Sequence, residues 1–380
     1  MAGRFRLVGR LAPTEERPSF EEAPETMTTQ DARASCRDVT AVIVSFHPDL
    51  DDLRSLLLEM LAQVGRVVLV DNASFAPVES CLPEDPALRS RIDLLRNEEN
   101  LGIAAAQNQG IARALESSEC RYVLLSDQDS LPAPYMAERL RQAFSGVSQP
   151  GPVPGLPPGT GMQRPALPIA AVGPRSIDMR TGDRSVLIID NGVWPERLLL
   201  PRRERRKWER ASTPLEVSFL LASGSMIPAE VFRSLRGMRG NYFIDHVDTE
   251  WCLRARSAGY RLLVVPDAFL YHRLGDRVRR LWLFGVRQVS YHTPLRDYYM
   301  FRNTLLMMRD LPLNRVWRVH FLARLVMFAG YFLTLGDRRL ERLRHMWMGI
   351  RHGLRGISGR LEGRQGCVRL PRMKLDPSTG

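Results

Sequence analysis

Short apolar runs alternate with helix-forming segments along the first third of the chain. Each run has the β-branched and aromatic content of a buried strand, and the segments between them have apolar residues at helical spacing. We therefore predict strands at 39–46, 67–70, 92–95 and 122–125, and helices at 50–61 and 104–115. This β-α-β order predicts an α/β fold with a mostly parallel central sheet flanked by helices, of the type that binds nucleotides.

The middle of the chain follows a different pattern. Residues 145–168 are dense in Pro and Gly, which predicts a flexible loop. A helix that ends at Gly259 and an apolar strand that ends at His272 are predicted further on. Additional strands are predicted at 169–172, 186–189 and 217–221.

The remainder, residues 290–357, predicts helices throughout. Its apolar run at 325–335 is too short for a membrane-crossing helix of about 20 residues, so no transmembrane segment is expected. The predicted organisation is a disordered extension at 1–37, an α/β domain at 38–290, a C-terminal helical region at 291–358 and a tail at 359–380.

Composition narrows the class of protein. With 380 residues, of which 44% are hydrophobic and 25% charged, the chain can bury one large core and an appended smaller one. Its five cysteines are scattered and include no CxxC pair, which argues against a disulfide framework or a zinc site. The N-terminus lacks the continuous apolar core of a signal peptide, so we expect a cytoplasmic protein.

Most of the excess positive charge lies near the C-terminus. The net charge is +12, and residues 311–380 contain 14 Lys and Arg against 4 Asp and Glu. The helices there either lie on the anionic cytoplasmic face of the inner membrane, pack on the α/β domain, or pack on a second subunit. Nucleic-acid binding is disfavoured, because the basic residues lie in helices with aliphatic stripes and no nucleic-acid motif is present.

Polar residues follow the predicted strands at the end where open α/β sheets bind ligands. Asp127 and Asp129 emerge from the strand at 122–125, and two carboxylates there suit Mg²⁺ or Mn²⁺ and a diphosphate. A solvated turn is the alternative for such a pair taken alone. His272 ends another strand and is either a third metal ligand or a structural histidine.

Two further strand ends carry polar residues, each with an ordinary alternative. Asp71 and Asn72 either hydrogen-bond a pyrimidine base or its ribose, or form a simple polar turn. Asn100 is placed to cap the next helix. Gly102 either brings backbone close to a phosphate or merely begins that helix.

An acidic cluster and an arginine complete the candidates. Asp245, Asp248 and Glu250 can supply a general base for an acceptor hydroxyl, and at least one of them is expected to cap the helix that begins near residue 247. Arg302, in RDYYMFRN, contacts either phosphate or the carbonyls of the C-terminal helices.

Several of these segments occur together in one known family. Over about residues 38–358 the chain resembles the family 2 glycosyltransferases with a GT-A fold, and within them the bacterial rhamnosyltransferases that use dTDP-L-rhamnose. The resemblance is carried by VTAVIVSFHP, VLVDNAS, NLGIAAAQNQGI, LLSDQDS, FLLASGSMIP, FIDHVDTEWCLRARSAGYRL, YYMFRN and GIRHGLRGISGRL.

The resemblance implies roles for the residues that match. Asp71 would meet the nucleobase, Asp127 the ribose or the metal, and Asp129 the metal and the diphosphate. His272 would complete the metal site, and Asp248 would be the catalytic base. The remaining donor-binding residues would be Asn72, Asn100 and Gly102. Possible acceptor-binding or supporting residues are Ser223, Gly224, Asp245, Glu250, Arg254 and Arg302.

The implied reaction is an inverting transfer of L-rhamnose from dTDP-L-rhamnose. The cofactor would be Mg²⁺ or Mn²⁺, and the acceptor a hydroxyl of a lipid-linked saccharide in O-antigen or exopolysaccharide synthesis. Transfer from another nucleotide sugar is the alternative. Packing of the C-terminal helices on a second subunit would make the protein a homo-oligomer.

Overall fold

The computed structural model describes residues 36–146, 167–190, 195–198, 202–272, 277–282, 286–361 and 368–369. Most of the extension predicted at 1–37, of the loop predicted at 145–168 and of the tail predicted at 359–380 lies outside the described residues.

The described strands, in chain order, are β1 (Val39–Ser45), β2 (Arg66–Asp71), β3 (Ile92–Arg96), β4 (Tyr122–Asp127), β5 (Ser130–Pro132), β6 (Ile169–Asp178), β7 (Leu187–Asp190), β8 (Pro195–Leu198), β9 (Leu215–Glu216), β10 (Met226–Pro228), β11 (Arg261–His272), β12 (Arg277–Trp282), β13 (Val286–Tyr291), β14 (Ile357–Ser358) and β15 (Val368–Arg369). The described α-helices are α1 (Leu50–Gln63), α2 (Pro86–Arg89), α3 (Ile103–Ala114), α4 (Met136–Gly146), α5 (Arg202–Ala211), α6 (Ala229–Ser234), α7 (Val247–Ser257), α8 (Pro294–Asp310), α9 (Arg315–Leu335) and α10 (Arg339–Arg355).

A mixed sheet forms the centre of the described structure. Nine of the described strands join it in the order β3-β2-β1-β4-β10-β6-β11-β5, with β9 paired to β11. The neighbours β3-β2-β1-β4 are parallel, as are β6 and β11, whereas β10 runs antiparallel to both β4 and β6. The prediction of an α/β fold with a mostly parallel sheet flanked by helices is confirmed.

The continuous apolar runs of the central strands reflect burial on both faces. In β1, Val42 and Val44 pack into the core on one side of the sheet, while Ala41 and Ile43 pack into the core on the other. Side chains alternate across a strand, so a strand covered by helices on both sides needs apolar residues at every position. This two-sided burial explains why the sequence of β1 is a nearly uninterrupted apolar run.

The predicted strand at 217–221 is wrong. The backbone N–H of Val217 donates to Leu262 O at 2.9 Å, whereas that of Ser218 donates to Ile188 O at 2.7 Å. Because consecutive residues bond to strands of different sheets, no continuous ladder forms, and only β9 just before them is a strand.

Three long helices pack together at the C-terminal end. Gly349 and Gly353 of α10 lie against α8: a Cβ added to Gly349 would come within 2.5 Å of Tyr298 O, and one added to Gly353 within 2.9 Å of Arg302 O. A buried ion pair, Arg342 Nη1 to Asp297 Oδ2 at 2.7 Å, joins the same two helices. The spacing of the two glycines thus sets how closely α10 approaches α8.

The expectation about a membrane-crossing segment needs correction. The apolar run at 325–335 is by itself too short to cross a membrane. It lies within α9, however, a helix of 21 residues that has the length and composition to do so. By those criteria alone the signal is weak, because core helices of soluble proteins also satisfy them.

Candidate active site

The carboxyl ends of β1, β2 and β4 meet at one edge of the sheet. The parallel register places Ser45 beside Asp71 and Val44 beside Asp127. Because each strand ends at the same level, their terminal acids lie in one crevice, where ligands bind in folds of this class.

Asp71 is fully buried at this edge, and only one of its two carboxylate oxygens accepts hydrogen bonds from described residues. Its Oδ1 accepts hydrogen bonds from Ser45 Oγ at 3.4 Å and from the backbone N–H of Ser74 at 3.3 Å. Its Oδ2 lies 3.4 Å from Arg96 Nε without a hydrogen bond to any described residue. A buried carboxylate oxygen in that state is suited to accept a hydrogen bond from a ligand.

Aromatic side chains missed by the sequence reasoning lie next to Asp71. Phe75 is 95% exposed and stacks on His47, with ring centroids 4.5 Å apart. Phe46, also exposed, lies beside His47 at 4.1 Å. An exposed ring held beside a buried carboxylate forms a platform for a planar ligand.

Asn72 and Asn100 hold the loop that follows β3. Asn72 Nδ2 donates to Asn100 Oδ1 at 2.9 Å, and Asn72 Oδ1 accepts from Asn97 Nδ2 and from the N–H of Leu101, each at 3.0 Å. The predicted helix cap at Asn100 is wrong: its Oδ1 accepts from the N–H of Gly102, one residue before α3 begins. These side-chain groups are occupied in positioning the loop.

Gly102 adopts a left-handed backbone with φ +84°, and a Cβ there would come within 2.5 Å of Phe243 O. The first N–H of α3, from Ile103, donates to the same carbonyl at 2.8 Å. The glycine therefore begins α3, as one of its two predicted roles states, and lets this helix approach the segment that precedes α7.

Asp127, Asp129 and His272 come together, as β5 turns back along β11 and pairs Ser130 with His272. One ligand atom from each of the three residues lies within 4.8 Å of the others, and His272 Nδ1 is 3.5 Å from Asp129 Oδ1. Gln128 between the acids bonds both the N–H and the C=O of Phe46, at 2.6 and 3.2 Å. The turn is thereby tied to the end of β1.

Two serines support this cluster, and Ser130 was missed by the sequence reasoning. The N–H of Asp127 donates to Ser223 Oγ at 3.0 Å, the Ser223 and Ser130 hydroxyls are 2.8 Å apart, and Ser130 Oγ lies 2.7 Å from His272 Nδ1. Gly224 follows with φ +85° and donates its N–H to Leu125 O at 2.8 Å. The segment at Ser223 thus orients the acids and the histidine together.

The environment of Asp127 disfavours an isolated charge. Burial raises the pKa of Asp127 to about 6, and the nearby carboxylates of Asp129 and Asp248 act in the same direction. A bound cation would oppose both effects, since it stabilises the ionised carboxylate. The donor set, two carboxylates and an imidazole, fits Mn²⁺ or Mg²⁺.

The segment before α7 is strained and carries the other acids. Phe243, Asp245 and His246 all have positive φ, at 67°, 64° and 60°. Such conformations are rare in non-glycine residues and persist where the surroundings hold them. Asp248 follows in the first turn of α7 and accepts a hydrogen bond from the N–H of Thr249 at 2.7 Å. Burial raises the pKa of Asp248.

Helix α8 supplies the groups that hold this segment. The side-chain amide of Asn303 donates to the carbonyls of Tyr242, Ile244 and Asp245 at 3.1, 2.8 and 2.9 Å. Arg302, fully buried, donates to Tyr242 O at 2.9 Å. Arg302 therefore contacts backbone carbonyls, but those of Tyr242 and Gly359, which lie outside the C-terminal helices named in the prediction.

The remaining acids of the cluster differ in their partners. Glu250 is fully buried and paired with two arginines, Arg239 Nε at 3.1 Å and Arg254 Nε at 2.9 Å. Asp245 is held by Arg296, whose Nη2 lies 2.6 Å from Oδ1. Asp248 alone of the three has no arginine partner among the described side chains.

A cavity of about 530 Å³ opens beside Asp248. Its polar lining comes from both the α/β domain and the C-terminal helices, and includes Ser223, Asp245, His246, Asp248, Thr249, His320 and Arg324. Burial lowers the pKa of His246 to about 4, so its imidazole is neutral near pH 7 and a weak base. The cavity can receive a hydroxyl compound next to the carboxylate of Asp248.

The close contact between Gly102 and Phe243 leads to a testable prediction. We expect Gly102→Ala to lower both the melting temperature and kcat, because the added Cβ would displace Phe243 and with it the segment carrying Asp245. Gly259→Ala is the matched control, since Gly259 has φ +86° but open space around its Cβ position. A positive φ strains alanine at both positions, by about 1–3 kcal/mol. Equal melting temperatures and kcat values for the two variants would contradict the role of the contact.

Comparison with known proteins agrees with this geometry. Residues 41–147 match the model of the family described as "Glycosyl transferase family 2". The chain is 28% identical over 324 residues to the dTDP-rhamnosyl transferase RfbF of Shigella flexneri, covering 85% of this chain and 97% of that protein.

Two solved structures are similar to this chain at low sequence identity. The crystal structure of GalNAc-T7 with UDP, GalNAc and Mn²⁺ superposes with a TM-score of 0.50 at 14% identity, covering 83% of this chain and 55% of the other. Residues 1–349 of TarS from S. aureus give a TM-score of 0.47 at 11% identity, covering 83% of this chain and 80% of the other.

Proposed function

We propose that this chain, which matches the family 2 glycosyltransferase model over residues 41–147, is a glycosyltransferase of GT-A fold that transfers L-rhamnose from dTDP-L-rhamnose to a saccharide hydroxyl. The identity of the donor is supported by one observation, the similarity to a dTDP-rhamnosyl transferase along nearly the whole length of that relative. We further propose that the acceptor is lipid-linked and belongs to O-antigen or exopolysaccharide synthesis.

The donor would lie along the carboxyl ends of β1, β2 and β4. Asp71 Oδ2, without a hydrogen bond from the described protein, can accept one from the base, and the exposed ring of Phe75 can stack on it. Asn72, Asn100 and Gly102 contribute by shaping the adjacent loop.

The diphosphate would reach the acids at the end of β4. Asp127, Asp129 and His272 would hold Mn²⁺ or Mg²⁺. The GalNAc-T7 structure, which is similar in fold, contains Mn²⁺. When bound, the ion supplies positive charge that stabilises the departing diphosphate. Ser223 and Ser130 keep the imidazole and the Asp127 backbone in place.

Asp248 would act as the general base. The acceptor hydroxyl enters the cavity, gives its proton to the Asp248 carboxylate, and its oxygen forms a bond to the anomeric carbon. The bond from that carbon to the diphosphate oxygen breaks, and dTDP leaves with its electron pair. Attack opposite to the leaving group inverts the anomeric configuration, so a β-linked donor gives an α-L-rhamnoside.

The donor is tested by thermal unfolding with a panel of nucleotide sugars, with and without Mn²⁺. A ligand that binds only the folded state raises its stability, by about 2.7 kcal/mol at 100 times its Kd. We expect dTDP-L-rhamnose with Mn²⁺ to give the largest rise, and rhamnose to appear on the acceptor. A larger rise with another nucleotide sugar would assign the enzyme a different donor.

We propose that the C-terminal helices attach the enzyme peripherally to the cytoplasmic face of the inner membrane. An apolar face covers the outer side of α9 and α10 and consists of Val319, Leu322, Val326, Met327, Leu340, Leu343, Trp347 and Leu354, all exposed. Arg344, Arg351 and Arg355 are exposed among the residues of α10. Exposed leucine and tryptophan beside arginine are typical of helices that lie in an anionic lipid interface.

Flotation with vesicles tests this attachment. The wild type is expected to float with vesicles containing anionic lipid at low salt and less at high salt, because the arginine contribution is screened. Val326→Glu combined with Trp347→Glu should remain unbound, while Leu58→Glu, which changes an exposed leucine of α1, should bind like the wild type. Equal flotation of all variants would contradict the proposal. A dimer that the double variant dissociates would assign the face to a second copy.

A further inference from the structure

Arg324 lines the cavity and forms no ion pair with a described residue. It belongs to the inner side of α9, where His320 and Phe321 also line the cavity. Its guanidinium makes no hydrogen bond or ion pair with another described residue, and it lies over the ring of Phe328, 5.5 Å from the centroid. Five N–H donors of this group are thus directed at a ring or at the cavity.

None of the described charged groups around Arg324 forms a hydrogen bond or an ion pair with its guanidinium. Asp245 is engaged by Arg296 in two hydrogen bonds, and Asp248 accepts its bonds from Thr249. Burial lowers the pKa of Arg324, and Arg197 of β8 acts in the same direction, whereas the charges of Asp248 and Asp245 oppose both. Since the two acids near Arg324 accept hydrogen bonds from other groups and its own donors have no described acceptor, Arg324 is suited to bind an anionic group that enters the cavity.

We propose that Arg324 binds a phosphate group of the acceptor, next to the sugar hydroxyl that Asp248 activates. Arginine recognises oxyanions through paired hydrogen bonds, and phosphate is a strong acceptor for them. The donor diphosphate has its own site at Asp127 and Asp129, whereas Arg324 lies on the side of the cavity formed by α9.

The position of Arg324 on α9 favours a phosphate that is attached to a lipid. The outer side of the same helix is the apolar face, so a lipid phosphate bound at Arg324 keeps its chain close to the membrane surface. The inference rests on the proposed function for the lipid-linked acceptor. It names the chemical group by which that acceptor is recognised.

Binding of farnesyl diphosphate, measured by calorimetry, tests the site. We expect Arg324→Gln to raise the Kd for this probe by about 10- to 100-fold, the loss typical of a hydrogen-bonded charge. Arg324→Lys should lose less, because it keeps the charge but not the paired donors. Arg315→Gln, at the exposed start of α9, is the matched control and should bind like the wild type. The Kd for dTDP should be the same in all four proteins.

Other outcomes overturn the proposal. If the wild type does not bind farnesyl diphosphate, or if Arg324→Gln binds it equally well, the site is not a phosphate site. If the Kd for dTDP rises by the same factor, the phosphate is that of the donor. A variant that changes only the pH dependence of kcat would show that Arg324 is a counter-charge for Asp248. Should Arg324→Gln not fold, the comparison of Arg324→Lys with the wild type decides.

These results are independent of the donor. A preference of the wild type for another nucleotide sugar would revise the proposed function, but it would leave the farnesyl diphosphate comparison unchanged. Conversely, equal binding by Arg324→Gln would remove the phosphate site while transfer of rhamnose from dTDP-L-rhamnose continued to be observed.

Discussion

Asp248→Asn is expected to lower kcat by about 10²- to 10⁴-fold, the usual contribution of a general base. The amide keeps the shape of the side chain and can still accept from Thr249, but it cannot take the proton of the acceptor hydroxyl. The Kd of the donor should change little, because its contacts lie at β1, β2 and β4. Single-turnover rates and donor titration measure the two quantities separately.

The neighbouring acids provide the controls for this result. Asp245→Asn loses charge in its pair with Arg296, and Glu250→Gln loses charge in its pairs with Arg239 and Arg254, so both should reduce stability more than chemistry. If Asp248→Asn transfers at the wild-type rate while either control is inactive, the base is a different carboxylate.

The pH dependence of kcat is a second test of Asp248 as the general base. Only the carboxylate form of Asp248 accepts a proton, and burial raises its pKa above the usual range. Activity is therefore present above this raised pKa and is lost as the pH falls through it, at a higher pH than for an exposed aspartate. An acidic limb at the ordinary pKa of aspartate would contradict the burial of Asp248.

Asp129→Asn is expected to abolish metal-dependent turnover. Loss of a group that merely orients a ligand costs about 10- to 100-fold in metal affinity or activity, and loss of a ligand charge should exceed it. Asp129 is the most exposed of the three, with 40% of its side chain accessible, so its removal should leave the fold stable. Turnover at increasing Mn²⁺ and the melting temperature without metal test both statements.

The matched control for Asp129→Asn is Asp51→Asn, which changes an exposed aspartate in the first turn of α1. It should keep both the turnover number and the Mn²⁺ dependence of the wild type. Full activity of Asp129→Asn in buffer treated with a chelator would contradict the proposed metal site.

The sheet and the positions of its acids could be predicted because both depend on local sequence. An uninterrupted apolar run such as that of β1 requires burial on both faces, and the residue after it must then lie at the sheet edge. The grouping of Asp71 and Asp127 followed from this rule alone, without any knowledge of long-range contacts.

The supporting residues could not be predicted, because their roles depend on partners distant in sequence. Gln128 bonds Phe46, and Ser130 lies beside both Ser223 and His272. Nothing in the local pattern of a serine or glutamine identifies such partners. The failure at 217–221 has the same origin, since an apolar run there bonds to two sheets instead of one.

Asn303 of α8 holds the segment before α7 in place, and this affects the order in which the active site forms during translation. The strands and acids of the sheet are all translated before residue 273, but the groups that fix Tyr242 to Asp245 come from α8, and α10 in turn packs on α8 through Gly349 and Gly353. A nascent chain can therefore complete its sheet before its base is in place. We expect ribosome-bound chains that lack α8 to bind nucleotide and not to transfer sugar.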